Sequence, residues 1–297
     1  MKINQNKFWE GINSNQLSAE NIENQFDSFK SSSINHKIAL FNPEVNGIRY
    51  LKTLIYFMSS TLDEEWAVLA KIKNMEIGKP IAISYNNESV CLDYIQAAQE
   101  FVFINSSLSL AELKVLEIGA GYGRTAHTLI SNAEIAQYTI IDLENALQLS
   151  QKYLSRVLDE QQFSKLEFIS VEDIHSIAER SFDLAINIDS FAEMDASVVN
   201  EYLAYIDQHC GHCYVKNPVG KYLDKSLDGH TQGQEIINQA LKQGVLTDII
   251  NIDDQKEIEN QSEKFVAAYK PSESWEAMSN AWAPPFSYIW QALYKKS

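Results

Sequence analysis

From Lys114 onward, the sequence alternates between short β-rich runs and longer runs whose apolar residues recur at helical spacing. The β-rich runs are KVLEIG, YTIID, LEFISV, FDLAINI and HCYVKNP, and helical runs such as NALQLSQKYLSRVL separate them. Strands that alternate with helices pair in parallel, because each helix returns the chain across the sheet in a right-handed crossover. The pattern therefore predicts an α/β fold with helices on both faces of a parallel sheet.

The sequence predicts the structure of the two ends of the chain less clearly. Ahead of the alternating part, apolar residues at helical spacing in Ile48 to Met58, Leu62 to Ile72 and Ser89 to Phe103 predict helices, with Ser89 as a cap. After Pro218 we expect a polar loop and a helix near residues 232 to 242. Three apolar runs follow, and two of them should complete the sheet: 245 to 252, 265 to 269 and 288 to 294.

Composition narrows the class of protein. In 297 residues, 45% are hydrophobic and 22% charged, which is an ordinary globular balance. The formal net charge of -16 disfavours binding to a phosphate backbone or an anionic membrane, so no nucleic-acid partner is expected. No apolar run approaches the roughly 18 residues of a membrane span, and three cysteines suit a reducing compartment. We therefore expect a cytoplasmic protein without membrane insertion, and a homo-oligomer stays open.

The run VLEIGAGYGR is a buried strand leading into a glycine-rich turn, with Gly119, Gly121 and Gly123 spaced as G-x-G-x-G. A helix that begins at Arg124 would offer free N–H groups to an anion or a carboxylate. Asp142 ends the next predicted strand, 23 residues after Gly119, close to the roughly 20 expected of a ribose-binding carboxylate. Tight turns need glycine for structural reasons too, but the position of Asp142 favours a nucleotide site.

The third glycine comes one residue earlier than in the G-x-G-x-x-G of dinucleotide-binding proteins, and Glu117 precedes the first glycine by two residues. This pattern resembles motif I of class I S-adenosylmethionine (SAM)-dependent methyltransferases, over about residues 112 to 217. The resemblance implies a Rossmann-like, seven-stranded, mostly parallel sheet. The cofactor residues that it implies are Glu117, Gly119, Ala120, Gly121 and Tyr122 at the methionine half, Asp142 and Leu143 at the ribose, and Glu172, Asp173 and Ile174 beside adenine.

A polar cluster follows the run FDLAINI, which ends near Asn187. Ligands of open α/β sheets bind at the carboxyl ends of strands, so we expect Asn187 to border the cofactor and Asp189 and Glu193 to face the donor methyl. Either carboxylate could take a proton from an acceptor hydroxyl, as could His230 on a later loop. Alternatively, Asp189 caps a helix and Glu193 is solvated. A metal ion between the carboxylates stays open, but no ligand count supports one.

The segments EIGAGYGR, YTIIDLENA, NIDSFAEM, YVKNPVGKY and PPFSYIWQALYKK resemble bacterial sugar O-methyltransferases, over roughly residues 75 to 297. This resemblance implies methyl transfer to a hydroxyl of a sugar or glycan precursor in surface-polysaccharide biosynthesis, leaving S-adenosylhomocysteine (SAH). Separately from this resemblance, we expect a helical region at 1–110 that could cover the substrate and a SAM-binding domain at 111–297. Three alternatives stay open: another small hydroxylated acceptor, a non-catalytic nucleotide-binding module, and an NAD-dependent oxidoreductase.

Two further features were weighed as sites. Cys210 and Cys213 form a CGHC motif, but a redox dithiol needs its first cysteine at a helix N-terminus, whereas this motif precedes a strand. Two cysteines are also too few for zinc. Arg124 departs from the small residue common at its position, and we interpret it as a solvated residue at a helix start, with a contact to substrate as the alternative.

Overall fold

The structure is a computed structural model, and it describes residues 7–32, 34, 41–223 and 233–297. The N-terminal part is mainly helical, as the sequence predicts, with a small hairpin that the sequence did not predict. A short 3-10 helix, Phe26–Ser28, follows the second helix. In chain order, the elements are α1 (Lys7–Asn15), α2 (Ala19–Gln25), α3 (Pro43–Thr61), α4 (Glu65–Leu69), β1 (Ala82–Tyr85), β2 (Glu88–Cys91) and α5 (Leu92–Asn105).

The hairpin corrects the predicted start of α5. Asn86 and Asn87 have φ values of 52° and 66°, the left-handed conformation that a tight two-residue hairpin loop requires. The loop sets the register, so Ser89 lies in β2 opposite Ser84 and does not cap a helix. Helix α5 begins after the hairpin, and the prediction that it starts at Ser89 was wrong because strand pairing takes that residue.

The remaining elements follow the predicted alternation of strands and helices. Two further 3-10 helices, Val171–Ile177 and Ser190–Glu193, follow strands of the sheet. The elements are β3 (Lys114–Ile118), α6 (Arg124–Asn132), β4 (Gln137–Asp142), α7 (Glu144–Val157), α8 (Glu160–Phe163), β5 (Leu166–Ser170), β6 (Phe182–Ile188), α9 (Ala196–His209), β7 (Cys210–Pro218), α10 (Gln234–Ala240), α11 (Gln255–Ala268), β8 (Trp275–Trp282) and β9 (Ile289–Lys296).

Seven strands form the main sheet in the order β5-β4-β3-β6-β7-β9-β8. Strands β3 to β7 pair in parallel, and β9 runs antiparallel to both β7 and β8. The predicted Rossmann-like, seven-stranded, mostly parallel sheet is confirmed. The strand order reverses between β3 and β6, and ligands of such sheets bind at the carboxyl ends of the strands beside that reversal.

The expectation for the last two strands was half wrong. Of the three apolar runs, only residues 288 to 294 fall in a strand, β9. Residues 265 to 269 end helix α11, and residues 245 to 252 are irregular apart from one bridge between Lys221 and Ile249. The other strand, β8, lies at the edge of the sheet and is mostly exposed. An exposed edge strand shows little apolar alternation, so its sequence gave little signal.

The N-terminal part packs directly onto the sheet domain. Ile95 and Ile104 of α5 are fully buried and belong to the same apolar core as Val115 of β3 and Leu129 of α6. The division of the chain at residue 110 stays a prediction. Within the described ranges, no helix has the combination of length and apolar character needed to cross a membrane.

Candidate functional site

The glycine-rich turn joins β3 to α6 and lies at the strand-order reversal. Gly119 has a φ of 76°, and a Cβ at this position would collide with the Ser190 side chain. Gly121 has a φ of 58°, and its missing Cβ points into open space. Gly119 is thus required by packing as well as by conformation. Gly121 leaves the backbone of the turn accessible to a ligand.

Asp142 holds this turn from the end of β4. Its Oδ2 accepts a 2.9 Å hydrogen bond from the Gly121 N–H, and its Oδ1 accepts one of 2.7 Å from the Leu143 N–H. Each carboxylate oxygen can accept a second hydrogen bond, so both retain capacity for ligand hydroxyls. The structure therefore places Asp142 beside the glycine turn, where the sequence predicts it.

Glu117 is a buried carboxyl group directly below the turn, with 2% of its surface exposed. The Tyr138 hydroxyl donates a 2.9 Å hydrogen bond to its Oε2. Burial raises the pKa of Glu117 to about 7, which the hydrogen bond from Tyr138 opposes. Among the described residues, no cationic side chain forms an ion pair with Glu117. The group is therefore a buried carboxyl without an ion-pair partner in the described part of the chain, although the charge of Arg124 lowers its pKa.

A cavity of about 1130 Å³ opens at the carboxyl ends of β3, β6 and β7. It unites the predicted methionine-side residues with the two predicted catalytic carboxylates. Those that line it are Glu117, Gly119, Ala120, Gly121, Tyr122, Asp189 and Glu193. The other lining residues come from α5, from the start of α6, from the ends of β6 and β7 and the segments that follow them, from α10 and the residues after it, and from the loop before β9 with the first residue of that strand.

Other predicted residues lie outside the cavity lining. Asp142 ends β4 and Leu143 follows it, and the Leu143 side chain is exposed. Glu172, Asp173 and Ile174 lie in the 3-10 helix after β5, where both acidic residues are exposed. Their assignment to ribose and adenine stays a prediction. His230 lies outside the described residues.

Asn187 lies beneath the site, fully buried. Its Nδ2 donates to Ile118 O at 2.9 Å and to Ser190 Oγ at 2.6 Å. Its Oδ1 accepts from Phe191 N–H at 3.2 Å and from Asn217 Nδ2 at 3.0 Å. These bonds connect the ends of β3, β6 and β7, so the amide supports the turn from below and contacts no part of the cavity surface.

Asp189 is the residue at which β6 turns toward the cavity. It has a φ of 65°, a left-handed conformation that is costly for a residue with a side chain and often found at functional sites. Its side chain makes no helix-capping hydrogen bond, so the interpretation of Asp189 as a cap is not supported. The side chain opens into the cavity, and the surrounding protein raises its pKa by desolvation while Lys216 and Arg124 lower it.

Glu193 is the second carboxylate of the cavity, one helical turn after Asp189. Desolvation raises the pKa of Glu193 first, the charge of Asp189 raises it further, and Lys221 opposes both effects. A carboxyl with a raised pKa is a stronger base when it is ionised. Both groups therefore have an environment suited to accepting a proton.

An ion cluster that the sequence analysis missed lies under the cavity. Glu100 of α5 accepts hydrogen bonds of 2.9 Å from Arg124 Nη2 and of 2.7 Å from Lys216 Nζ. Arg124 Nη1 also donates to Asp93 O at 2.9 Å. All three charged side chains are largely buried, so the interpretation of Arg124 as solvated was wrong. A glutamate in the otherwise uncharged helix run YIQAAQEFVFI is the sequence signal of a buried charge, but it does not identify the partners.

The cysteine motif has no reactive character. Cys210 and Cys213 are buried in β7 with free thiols. Burial raises the pKa of Cys210 to about 12 and that of Cys213 well above its ordinary value, so neither forms a thiolate near neutral pH. No group of three or more His, Cys, Asp or Glu side chains suited to a metal ion occurs within the described ranges.

The comparisons with known proteins concern the fold. No family model matches the chain, and no curated protein matches its sequence. Solved structures similar to it include magnesium protoporphyrin IX methyltransferase from Synechocystis PCC 6803 with bound SAH, at 13% identity and a TM-score of 0.47, over 72% of this chain and 91% of the other. The pyocyanin biosynthetic protein PhzM is 11% identical, with a TM-score of 0.46, over 91% and 71%. The methyltransferase domain of bacterial CtHen1-C is 13% identical, with a TM-score of 0.46, over 68% and 97%.

Proposed function

We propose that this protein is a SAM-dependent methyltransferase that acts on a hydroxyl group of a small molecule. The observation that carries the proposal is Glu117, a carboxyl buried at the cavity wall without a cationic partner among the described residues. A buried carboxylate is stable only when it is neutralised by a proton or paired with a cation. SAM carries such a cation, its α-ammonium group. The backbone of the glycine turn beside Glu117 is accessible to this ligand.

The rest of the turn supports the same ligand. The free N–H groups at the start of α6 would bind the carboxylate of the methionine half. Asp142 would accept hydrogen bonds from the ribose hydroxyls, and the 3-10 helix Val171–Ile177 would flank adenine. A dinucleotide would instead place a pyrophosphate at the turn. Glu117 would repel those phosphates, so its charge favours SAM over NAD.

The two carboxylates that follow β6 line the same cavity and support a methyl-transfer reaction there. SAM supplies a methyl group that is activated by its bond to a sulfonium. When the acceptor oxygen forms its new bond to carbon, the sulfur–carbon bond breaks, SAH remains, and the hydroxyl proton must go to a base. We assign this base to Asp189, which opens into the cavity and has a raised pKa. Glu193 lies beside it as the second candidate.

For the acceptor, a sugar or glycan precursor of surface-polysaccharide biosynthesis is the first candidate, and it rests on the sequence resemblance alone. Another small hydroxylated metabolite is the second. A cavity of about 1130 Å³ exceeds the roughly 300–1,000 Å³ of ordinary small-molecule pockets, so it has room for an acceptor as well as SAM.

Calorimetric titrations with SAM, SAH and NADH test the cofactor. We expect SAM and SAH to bind and NADH not to bind, and we expect Glu117→Gln to weaken SAM. Binding of NADH but not of SAM would overturn the proposal. Transfer of a labelled methyl group from SAM to a panel of sugars and phenols then tests the chemistry. SAM binding without transfer to any acceptor, in the panel or in a cell extract, would favour a non-catalytic module.

A further inference from the structure

One side of the cavity is an apolar wall built from two separate segments. The first is α10 with the residue after it, where Ile236, Ile237 and Leu241 line the cavity beside the polar Gln239 and Gln243. The second is the loop before β9, which contributes Phe286 and Tyr288. We call these five residues the apolar wall. Ile236 and Phe286 are 50% and 42% exposed, so apolar surface stays open to solvent here.

The Phe286 side of the wall is held in place by the edge of the sheet. Trp282 Nε1 donates a 2.8 Å hydrogen bond to Phe286 O, and Ala283 N–H donates to Ile289 O at 3.0 Å. The rings of Phe286 and Tyr288 lie 6.2 Å apart, and that of Tyr288 lies 5.3 Å from Tyr222. The aromatic part of the wall is therefore a connected surface fixed to β8 and β9.

The charged groups lie in a separate part of the lining. Asp189 and Glu193 follow β6, and Lys216 and Lys221 lie at the end of β7 and just beyond it. Lys221 Nζ donates to Ala192 O at 2.9 Å, which ties it to the segment that carries both carboxylates. The cavity thus has a polar region, where a hydroxyl would meet the base, and an apolar region beside it.

We propose that the methyl acceptor is amphiphilic: a hydroxylated head that reaches Asp189, joined to an aromatic or aliphatic part that packs on the apolar wall. A glycoside with an apolar aglycone has this chemistry, whereas a bare sugar would leave the wall in water. Burial of apolar surface is the largest favourable contribution that such a wall can make to binding. This inference rests on the proposed function, because it concerns the acceptor of that reaction.

A matched pair of probes tests the inference. Phenyl β-D-glucoside and methyl β-D-glucoside share a head and differ in the apolar group. With the protein saturated in SAH, we expect calorimetry to show the phenyl glucoside binding at least about tenfold more tightly. Equal affinities, or binding of neither probe at millimolar concentration, would overturn the inference.

Two variants test which residues cause the preference for the phenyl glucoside. Phe286→Ser and Ile236→Ser should each remove most of the difference between the two probes while keeping the affinity for SAH. Leu149→Ser is the control, because Leu149 is 56% exposed on α7 and does not line the cavity. A phenyl preference that survives both wall variants would contradict the assignment. Titrations with SAM and SAH in the absence of either probe separate the two proposals. The cofactor assignment fails if SAM and SAH do not bind, whatever the probes do.

Discussion

The hydroxyl of Tyr138 donates a hydrogen bond of 2.9 Å to Glu117 Oε2, and both side chains are buried. The bond favours the ionised carboxyl, whereas burial favours the protonated one. Burial is the larger effect, and it places the pKa of Glu117 at about 7. Near neutral pH the group is therefore divided between a neutral form, which suits the free protein, and an anion, which suits a bound cation.

This balance predicts that Glu117 costs stability in the free protein. Its pKa is about 7 when folded, above its ordinary value of 4.5, so the folded chain binds the extra proton between these values and loses stability as pH rises through this window. Above pH 7 the carboxyl is ionised in the folded and the unfolded chain, and the folded protein bears the full loss of stability. Glu117→Gln should therefore raise the free energy of unfolding at pH 8 by on the order of 2 kcal/mol, and change it little at pH 4.5. Urea denaturation at both pH values measures this.

The exposed Glu179→Gln is the matched control for that experiment, because it changes the same charge at the surface. It should alter stability by no more than a few tenths of a kcal/mol. If Glu117→Gln destabilises the free protein at pH 8, the carboxylate has a partner that this interpretation omits.

The same group predicts how SAM binding depends on pH. An α-ammonium pairs with the ionised form of Glu117, which becomes scarce as pH falls below about 7. SAM affinity should therefore decrease between pH 7 and 5.5, by up to about tenfold per pH unit, and binding should release a proton. Calorimetry in buffers of different ionisation enthalpy measures that proton. In Glu117→Gln both effects should vanish, and their persistence would assign them to another group.

The glycine turn could be predicted from sequence because its signals are local. Glu117, Gly119 and Asp142 lie at fixed spacings in and just after two adjacent strands. The parallel pairing of β3 with β4 brings these residues together. The parallel pairing of five strands could be predicted for a related reason, since strands that alternate with crossover helices pair in parallel. These features depend on short segments and on rules that hold for all such sheets.

The ion cluster could not be predicted because it depends on packing between distant segments. Glu100 is 24 residues from Arg124 and 116 from Lys216 in sequence. No spacing rule connects such residues, and only the docking of α5 against the sheet brings them together. The apolar wall is similar, because Ile236 and Phe286 belong to segments that are distant in sequence and that only the fold brings to one cavity.

Asp142→Ala should weaken SAM binding by about 1–3 kcal/mol, because the ribose hydroxyls and the Gly121 N–H both lose an acceptor. Asp142→Asn retains one acceptor oxygen and should have a smaller effect. Calorimetry with SAM and with methionine alone separates the loss of the ribose contact from the loss of the hydrogen bond to the Gly121 N–H. Methionine lacks the ribose, so its binding should respond only through the turn. Unchanged SAM affinity in Asp142→Ala would place the ribose anchor elsewhere.

Asp189→Asn should keep the affinity for SAM and reduce turnover by about 10²- to 10⁴-fold, because it removes the proposed base but preserves the shape of the left-handed turn. Glu193→Gln should reduce turnover less, because Glu193 is only the second candidate for the base. Single-turnover rates with a labelled methyl group measure both. Full activity in Asp189→Asn would leave Glu193 or His230 as the base.

The cluster around Glu100 predicts a large loss of stability when its carboxylate is removed. In Glu100→Ala, Arg124 and Lys216 would remain buried without the anion that neutralises them. Removing one partner from a buried ion pair costs about 3–5 kcal/mol, because the remaining charge cannot be solvated. The control is Glu134→Ala, which breaks an exposed pair with Lys165 and should cost at most about 1 kcal/mol. Urea denaturation at pH 7 compares them, and equal losses would show that water reaches the cations of the cluster.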